Sequence, residues 1–324
     1  MKIFIAIALL ASILSFIVPA VVYGSKTAAG ETAQQESPQY SGEEVTVLDG
    51  EQTLTMDMED YLVGVVAGEM PAEFETQALM AQAVAARTYT LYKMYVEPSE
   101  NHTQTVCTDP TCCKAYAHEQ ELRDRWGADY EDNYSKISDA VSSTEGQYLT
   151  YDGQPILAVF HSSSPGRTED SGDVWQTSLP YLKSVETPEG AEDVTNFVSE
   201  VRVLRSDFID TVKERHPQAE FSQEGKDWIT GYTYTPSGRV DSVNVGGEVI
   251  SGKELREIFS LRSTAFSAEV TDSDVVFKTT GYGHGVGMSQ YGANTLAKQG
   301  QTYEQILSRY YEGTAIEKID ANEP

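Results

Sequence analysis

Basic side chains are scarce in this sequence. Its 324 residues include 23 Lys and Arg against 50 Asp and Glu, which gives a formal net charge of −27 at neutral pH. Nucleic-acid binding draws most of its affinity from clustered Lys and Arg, so this deficit excludes a nucleic-acid-binding protein. A neutral or cationic partner fits the charge better, and much of the acid serves to keep the surface hydrated.

Internal repeats and low-complexity gaps are also absent from Val45 to Ile316. With 40% hydrophobic and 10% aromatic residues, the chain lies well clear of a disordered composition. It can build one large core or two modest ones. We therefore predict one elongated globular body over residues 44–318, followed by a polar tail at 319–324.

Long apolar runs are confined to the amino terminus. Residues 3–23 hold no charge. They have the length of a helix that crosses a bilayer, which is roughly 20 residues. A secretory signal has a shorter apolar region and a small-residue cleavage site, which residues 22–24 match only fairly. We predict a single-pass anchor at 1–24 and a flexible polar tether at 25–43. Because no second span returns the chain, the body is expected outside the cytoplasm.

Local signals predict a long helix after the first apolar segment. Pro71 fits the first turn of a helix, with Glu73 and Glu75 near the positive end of its dipole. We therefore expect the helix to start there. Apolar residues then follow at three- and four-residue steps, which predicts a helix buried on two sides: Phe74, Ala78, Ala81, Ala85, Tyr89 and Tyr92.

Later segments predict hairpins. Asp152-Gly153 is a tight-turn signal between two apolar strands at 148–151 and 156–160. Pro155 lacks a backbone donor, which places its strand near a sheet edge. Residues 231–251 indicate further strands with Gly-rich turns.

Capping signals mark two further helices. Ser251 with Glu254, and Thr302 with Gln305, have the spacing of a capping box at a helix start. Helices and hairpins therefore alternate without a strand–helix–strand repeat. We predict an α+β fold of mixed helices and antiparallel hairpins rather than a doubly wound sheet.

One acid, Glu69, stands in an apolar setting formed by Val65, Val66, Ala67 and Met70. If burial dominates there, the carboxyl could hold a proton and donate it to a leaving oxygen, as the general acid of a glycosidase does. The alternative is that Glu69 only decorates the amino end of a helix.

A twelve-residue segment holds His102, Cys107, Cys112 and Cys113. One imidazole and two thiolates can supply three ligands of a tetrahedral Zn²⁺. Adjacent cysteines are hard to place on one ion, so one is surplus to this interpretation. Two others stay open: a disulfide that leaves one thiol free, and a thiol nucleophile with His102 or His118 as its base.

Two polar, turn-rich segments are candidates for a substrate cleft. Residues 160–175 follow a predicted strand and are suited to hydrogen-bond sugar hydroxyls or amides, although an ordinary serine-capped loop is the alternative. They lack the G-x-S-x-G signature of a serine hydrolase. Residues 281–293 have glycines at alternate positions but depart from the G-x-G-x-x-G nucleotide loop. We expect unusual backbone dihedrals or close packing there, with a helix beginning near Met288.

The chain resembles the stage II sporulation protein D family, whose domain also occurs in the amidase-enhancer LytB proteins. The matching segments occur in the family's order and cover most of Val45 to Ala315. They are "YLVGVVAGEMPAEFETQALMAQAVAARTYTLY", "CTDPTCCKAY", "FHSSSPGRTEDSGDVW...PYLKSV", "GKELREIFSLRSTAF" and "GYGHGVGMSQYGANTLAKQGQTYEQILSRYYEGT".

This resemblance implies a lytic transglycosylase that acts on peptidoglycan. The catalytic Glu of the family's "EMP" segment falls on Glu69. It would protonate the β-1,4 glycosidic oxygen after N-acetylmuramic acid and then take the proton of the sugar's 6-hydroxyl as a 1,6-anhydro ring closes. Because no water attacks, one carboxylate suffices where most glycoside hydrolases need two. The two polar loops suggest these substrate contacts: Ser162, Ser163, Arg167, His284 and Gln290.

The resemblance also implies a structural zinc site of one His and two Cys. By position it falls on His102, Cys107 and Cys113, and the metal would hold the segment after the long helix. This chain departs from the pattern, because the gap before the first Cys is one residue short and Cys112 is an extra candidate.

The family's partners and location are implied in the same way. The substrate would be glycan strands stripped of peptide by an amidase, the stage II sporulation protein P, with a stage II sporulation protein M as membrane organiser. The domain would face the space between mother cell and forespore during engulfment, anchored in the mother-cell membrane.

Two other functions are open. The first is a non-catalytic wall-binding or amidase-activating module of the LytB type. The second is a zinc hydrolase, for which chelation would abolish turnover without unfolding the domain.

Overall fold

The computed structural model describes residues 44–98, 105–109, 112–175 and 177–319. The anchor predicted at 1–24, the tether predicted at 25–43, His102 and residues 320–324 of the tail lie outside these ranges. Within them, no helix combines the length and the apolar character needed to cross a bilayer.

Helices are distributed along the whole described chain. The α-helices are α1 (Met58–Glu69), α2 (Thr76–Leu91), α3 (Glu119–Trp126), α4 (Tyr130–Ser142), α5 (Ser171–Trp175), α6 (Arg205–Arg215), α7 (Gly252–Ile258), α8 (Gln290–Lys298) and α9 (Tyr303–Tyr310). A π-helical turn continues α2, and a 3-10 turn joins α3 to α4: Tyr92–Val96 and Gly127–Asp129.

The strands form small separate sheets. They are β1 (Glu44–Asp49), β2 (Gln52–Asp57), β3 (Thr105–Cys107), β4 (Gln147–Tyr151), β5 (Gln154–Pro155), β6 (Phe160–His161), β7 (Val198–Leu204), β8 (Ile229–Tyr234), β9 (Val240–Val245), β10 (Glu248–Ser251), β11 (Phe266–Val270), β12 (Asp274–Thr280), β13 (Met288–Ser289) and β14 (Ala315–Lys318). The sheet orders are β2-β1-β3, β10-β9-β8, β11-β12-β7, β13-β6 and β14-β4-β5. Pairs β1–β3 and β6–β13 are parallel and the others are antiparallel. The predicted α+β class is confirmed.

A first hydrophobic core surrounds α2. This helix contacts α1, α4, α8, α9 and β4. Its alanines are fully buried and small enough to let these neighbours approach closely: Ala78, Ala81, Ala83, Ala85 and Ala86. The helix is buried on nearly every side, which is more than the two buried sides predicted from its periodicity.

The predicted start of this helix at Pro71 is wrong. The structure begins α2 at Thr76, with Glu75 as its N-cap. Residues 71–75 form a turn, and the Glu75 N–H donates to the Asn294 side chain at 2.8 Å. Glu69 is consequently the last residue of α1 rather than a residue at a helix start.

The predicted hairpin is confirmed in its turn and its edge. Asp152 and Gly153 both have positive φ, 50° and 73°, and join β4 to β5. Pro155 lies in the edge strand. The second strand is shorter than expected, and Phe160–His161 pairs instead with Met288–Ser289.

Both predicted caps are confirmed. The Ser251 hydroxyl accepts from the Glu254 N–H at 3.1 Å at the start of α7. At the start of α9, the Thr302 N–H donates to the Gln305 side chain at 3.0 Å.

The chain between Leu182 and Val286 builds a second hydrophobic core within the same compact unit. Strands β7 to β12 and helices α6 and α7 enclose an aromatic cluster of Phe208, Trp228, Phe259 and Phe277. The chain then returns to the first core.

The return path is the glycine-rich loop at 281–287. Gly281, Gly283, Gly285 and Gly287 all have positive φ, at 75°, 111°, 86° and 72°. A Cβ on Gly287 would lie 2.0 Å from the Val159 carbonyl oxygen, so the backbone there is packed directly on the start of β6. The expectation of unusual dihedrals and close packing is confirmed.

Candidate functional site

The Glu69 carboxylate is held by two donors from distant parts of the chain. The Ala115 N–H donates to Oε1 at 3.3 Å, and the Gln290 side-chain amide donates to Oε2 at 3.3 Å. The residues before it in α1 are buried in the first core, whereas Glu69 itself is half-buried. The end of α1 therefore delivers one carboxylate from the core to the surface of a cleft.

That cleft is a cavity of about 460 Å³ whose lining comes from both cores. The first core contributes Glu69 and its neighbours, and the second contributes Arg256 of α7. The remaining lining residues include Gly68, Lys114, Ala115, Phe160, His161, Ser162, Tyr282, Gly283, His284 and Gln290. Among the described residues that line it, Glu69 is the one carboxylate.

Two histidines at this cleft are neutral at neutral pH. Burial lowers the pKa of His161 well below its usual range, and its ring contacts the Val286 carbonyl at 3.1 Å and the Ser164 hydroxyl at 2.6 Å. Burial, reinforced by the nearby Lys114, lowers the pKa of His284 to about 3. Its Nδ1 accepts from the Val286 N–H at 3.1 Å. Neither ring is suited to serve as a cationic acid at neutral pH.

The cleft also holds cations that sequence reasoning missed. The Lys114 ammonium lies over the rings of Tyr89 and Phe160, at 4.1 and 3.8 Å from their centroids. Burial lowers its pKa to about 8, partly offset by Glu69. Arg256 of α7 lines the same cavity. Both residues occur inside segments that carry the family resemblance, but only the fold brings them to the cavity that holds Glu69.

The predicted substrate contacts divide into two groups. Ser162, His284 and Gln290 line the cavity. Ser163 is fully buried and pairs through its backbone with Tyr282, and Arg167 contacts Ser184 and Glu186 at the surface. The structure therefore does not bring Ser163 or Arg167 to this cavity.

A buried ion pair was also missed. Arg239 and Glu169 are almost fully buried and lie 3.4 Å apart, and Arg239 also donates to the Ser164 hydroxyl at 3.0 Å. Gly285 leaves room for this guanidinium, since a Cβ there would lie 2.7 Å from it. The pair joins the serine-rich and glycine-rich loops. Glu169 and Arg239 each lie in a polar segment, where a single charged residue is ordinary, so the sequence did not indicate that they pair.

A second cavity, also of about 460 Å³, continues from the first. The two share Arg256 and His284. Trp175, Asp173, Asp241 and Lys253 are among the residues that line the second cavity. Together the two cavities form a groove that extends beyond the cavity that holds Glu69.

The three cysteines converge behind this cleft. The sulfurs of Cys107, Cys112 and Cys113 lie within 4.8 Å of one another, and all three are free thiols. In a tetrahedral zinc site with Zn–S distances of about 2.3 Å, sulfurs stand about 3.8 Å apart. The Cys112 and Cys113 sulfurs are 3.9 Å apart, so adjacent cysteines can approach one ion, contrary to the expectation that one is surplus.

The chemistry of this donor set suits a soft cation. Burial raises the pKa of Cys113 to about 12, so without a cation the thiol keeps its proton. Thiolate ligands select Zn²⁺ over hard cations. The cluster could therefore hold a zinc ion, for which His102, outside the described residues, stays a predicted ligand. Lys114 and Ala115 follow directly, so this turn positions the N–H that contacts Glu69.

Comparisons with known proteins identify the family. The family model described as Stage II sporulation protein matches residues 50–151. The chain is 38% identical over 265 residues to the Stage II sporulation protein D of Bacillus subtilis (strain 168), covering 82% of this chain and 75% of that protein. It is 36% identical over 266 residues to the Stage II sporulation protein D of Bacillus amyloliquefaciens, with the same coverage. The chain belongs to the stage II sporulation protein D family.

A further relative carries a different name. The chain is 28% identical over 302 residues to the Amidase enhancer of Bacillus subtilis (strain 168), covering 79% of this chain and 40% of that protein. This similarity agrees with the domain sharing expected from the sequence.

Proposed function

We propose that this chain is a lytic transglycosylase that cleaves the β-1,4 bond after N-acetylmuramic acid in peptide-stripped glycan strands. The observation that carries the proposal is the position of Glu69. It is the one carboxylate among the described lining residues of a cleft between two cores, and two fixed donors orient it.

The reaction needs one group that gives and regains a proton. Protonated Glu69 donates to the glycosidic oxygen as the bond from that oxygen to C1 of the muramic sugar breaks. The sugar's own 6-hydroxyl oxygen then bonds to C1, and its proton returns to Glu69. The product carries a 1,6-anhydro end, no water is consumed, and the acid is restored.

The arrangement around Glu69 fits this order of proton transfers better than it fits hydrolysis. A hydrolase places a second carboxylate at about 5 to 10 Å to act as nucleophile or to activate water. No second one is among the described residues that line this cavity, and the carboxylates of Glu169, Asp173 and Asp241 line the second cavity instead. The Ala115 and Gln290 donors can stabilise the charged form of Glu69 between the two proton transfers.

The test compares Glu69→Gln with Glu73→Gln in the full chain. Gln keeps the shape of Glu but cannot donate the proton, and Glu73 is an exposed acid four residues away. With denuded glycan, Glu69→Gln is expected to lose about 10³-fold or more in turnover, while Glu73→Gln retains the wild-type rate. An unchanged yield of anhydro ends in Glu69→Gln would show that Glu69 is not the catalytic acid.

The similarity to the Amidase enhancer favours a second candidate, a non-catalytic module that binds wall glycan and activates an amidase. This candidate predicts that neither wild type nor Glu69→Gln produces anhydro ends. It also predicts that both bind glycan strands and raise the rate of an added amidase equally.

We also propose a structural zinc ion at the three cysteines. When bound, it would join the strand β3 to the turn that carries Lys114 and Ala115, and so hold a donor of Glu69 in place. The zinc ion would have a structural role and would hold its ligands in place, whereas Glu69 would perform the proton transfers.

The setting of the protein is part of the same proposal. A single-pass anchor at 1–24 would hold the domain outside the mother-cell membrane during sporulation. The amidase, stage II sporulation protein P, would supply stripped strands, and stage II sporulation protein M would organise the complex. Membrane fractionation of sporulating cells and co-purification of the full chain test these assignments.

A further inference from the structure

Arg256 stands at the junction of the groove. It lines the cavity that holds Glu69, the second cavity and a shallower one beside Tyr282. A substrate strand that runs through both main cavities would pass this side chain. It is also the residue of the second core that lines the same cavity as the carboxylate delivered by the first.

The charged end of Arg256 has little to hold it within the protein. Its Nε donates to the Leu261 carbonyl at 3.3 Å, and its terminal nitrogens have no hydrogen-bond partner among the described residues. No described carboxylate lies at ion-pair distance from it. The chain carries 50 acidic against 23 basic residues, so a guanidinium that forms no ion pair is unusual in this protein.

An unpaired guanidinium whose terminal nitrogens are free suits a carboxylate. Arginine binds planar anions through two parallel hydrogen bonds, and partial desolvation strengthens them. Burial lowers the pKa of Arg256 from its ordinary value and is partly offset by Tyr282 and Glu257, so a bound anion would further relieve an unfavourable environment.

We propose that Arg256 binds the free lactyl carboxylate of a peptide-free N-acetylmuramic acid and thereby selects stripped strands. The inference rests on the proposed function, which supplies the glycan. The sugars of such a strand are otherwise neutral. The lactyl group is an amide while a stem peptide is attached and becomes a carboxylate when the peptide is removed, so the same atoms report the state of the strand.

Two glycan substrates isolate this contact. One is denuded glycan with free lactyl carboxylates. The other is the same material after carbodiimide coupling to methylamine, which replaces each carboxylate by a neutral amide of similar size. The wild-type full chain is expected to favour the carboxylate form by about 10- to 100-fold in kcat/KM, the range of a charge-assisted hydrogen bond.

Variants assign the preference to one side chain. Arg256→Gln is expected to lose the preference by slowing only on the carboxylate form, and Arg256→Lys to keep part of it. Arg202→Gln removes the same charge from an exposed position on β7 and is expected to leave the preference intact. Thermal unfolding of each variant identifies any loss of fold.

The outcomes separate the inference from the proposed function. Equal slowing of Arg256→Gln on both substrates, or no preference in the wild type, overturns the role of Arg256 while the transglycosylase stands. If the wild type cleaves neither substrate, titration with both glycans still decides: tighter, Arg256-dependent binding of the carboxylate form supports the inference, and equal binding overturns it.

Discussion

The side-chain amide of Gln290 donates a hydrogen bond to Glu69 Oε2 at 3.3 Å, across 221 positions of sequence. Gln290 is the first residue of α8, separated from the glycine-rich loop by the two-residue strand β13, and Glu69 is the last residue of α1. The contact therefore ties the orientation of the proposed acid to the geometry of a distant loop.

Replacing Gln290 tests the value of that contact. Gln290→Ala is expected to reduce kcat on denuded glycan by about 10-fold, the effect of one hydrogen bond to a charged group. Gln290→Glu, which places a like charge beside Glu69, is expected to reduce it further. Steady-state kinetics measure both, and unchanged thermal unfolding shows that the fold is retained. Wild-type kcat in both variants would separate Gln290 from the orientation of Glu69.

The cysteine cluster is expected to bind one zinc ion per chain. Cys107→Ser and Cys113→Ser should lose the metal and destabilise the domain, and Cys112→Ser should weaken binding because its sulfur lies in the same cluster. Elemental analysis and thermal unfolding measure these effects. Chelation should remove fold and activity together. Loss of turnover with the fold intact would point instead to a catalytic metal.

The glycine-rich loop is expected to tolerate no side chain at Gly287. Gly287 and Gly153 have nearly the same positive φ, 72° and 73°, so Ala at either position incurs a left-handed strain of about 1 kcal/mol. A Cβ on Gly153 meets nothing within 4 Å, whereas one on Gly287 would lie 2.0 Å from a carbonyl oxygen. Denaturant unfolding should show a loss of several kcal/mol for Gly287→Ala only. Equal losses would contradict this packing.

The neutral His284 predicts a pH dependence of stability. Its pKa is lowered to about 3 in the folded protein, against about 6.5 for an unperturbed histidine. The unfolded chain therefore binds more protons in between, and stability from this residue is present above pH 6.5 and lost as pH falls toward 3. The free energy of unfolding should fall less steeply with acid in His284→Gln than in wild type. Parallel pH profiles would show that the ring titrates normally.

Local backbone structure could be predicted from the sequence where a few neighbouring residues determine it. The caps at Ser251 and Thr302, the turn at Asp152-Gly153 and the positive φ values of the glycine-rich loop all follow from short patterns. Pro71 misled because a proline suits a turn as well as a helix start. Nothing local indicated that α2 begins at Thr76.

The cleft itself depended on long-range packing. Glu69 could be singled out because an acid in an apolar segment is unusual. Lys114 and Arg256 could not, since a cation in a polar segment is ordinary until the fold places it in the lining of the same cavity as Glu69. The distances from Ser163 and Arg167 to the cavity likewise depend on which way a loop turns after β6.

The most direct measurement of the central claim is cleavage of denuded glycan in water enriched in ¹⁸O, followed by mass spectrometry of the new ends. If Glu69 takes up the proton of the sugar's own 6-hydroxyl as the ring closes, the products carry anhydro ends with no ¹⁸O. New reducing ends that contain ¹⁸O would show that water attacks, and would contradict the proposed role of Glu69.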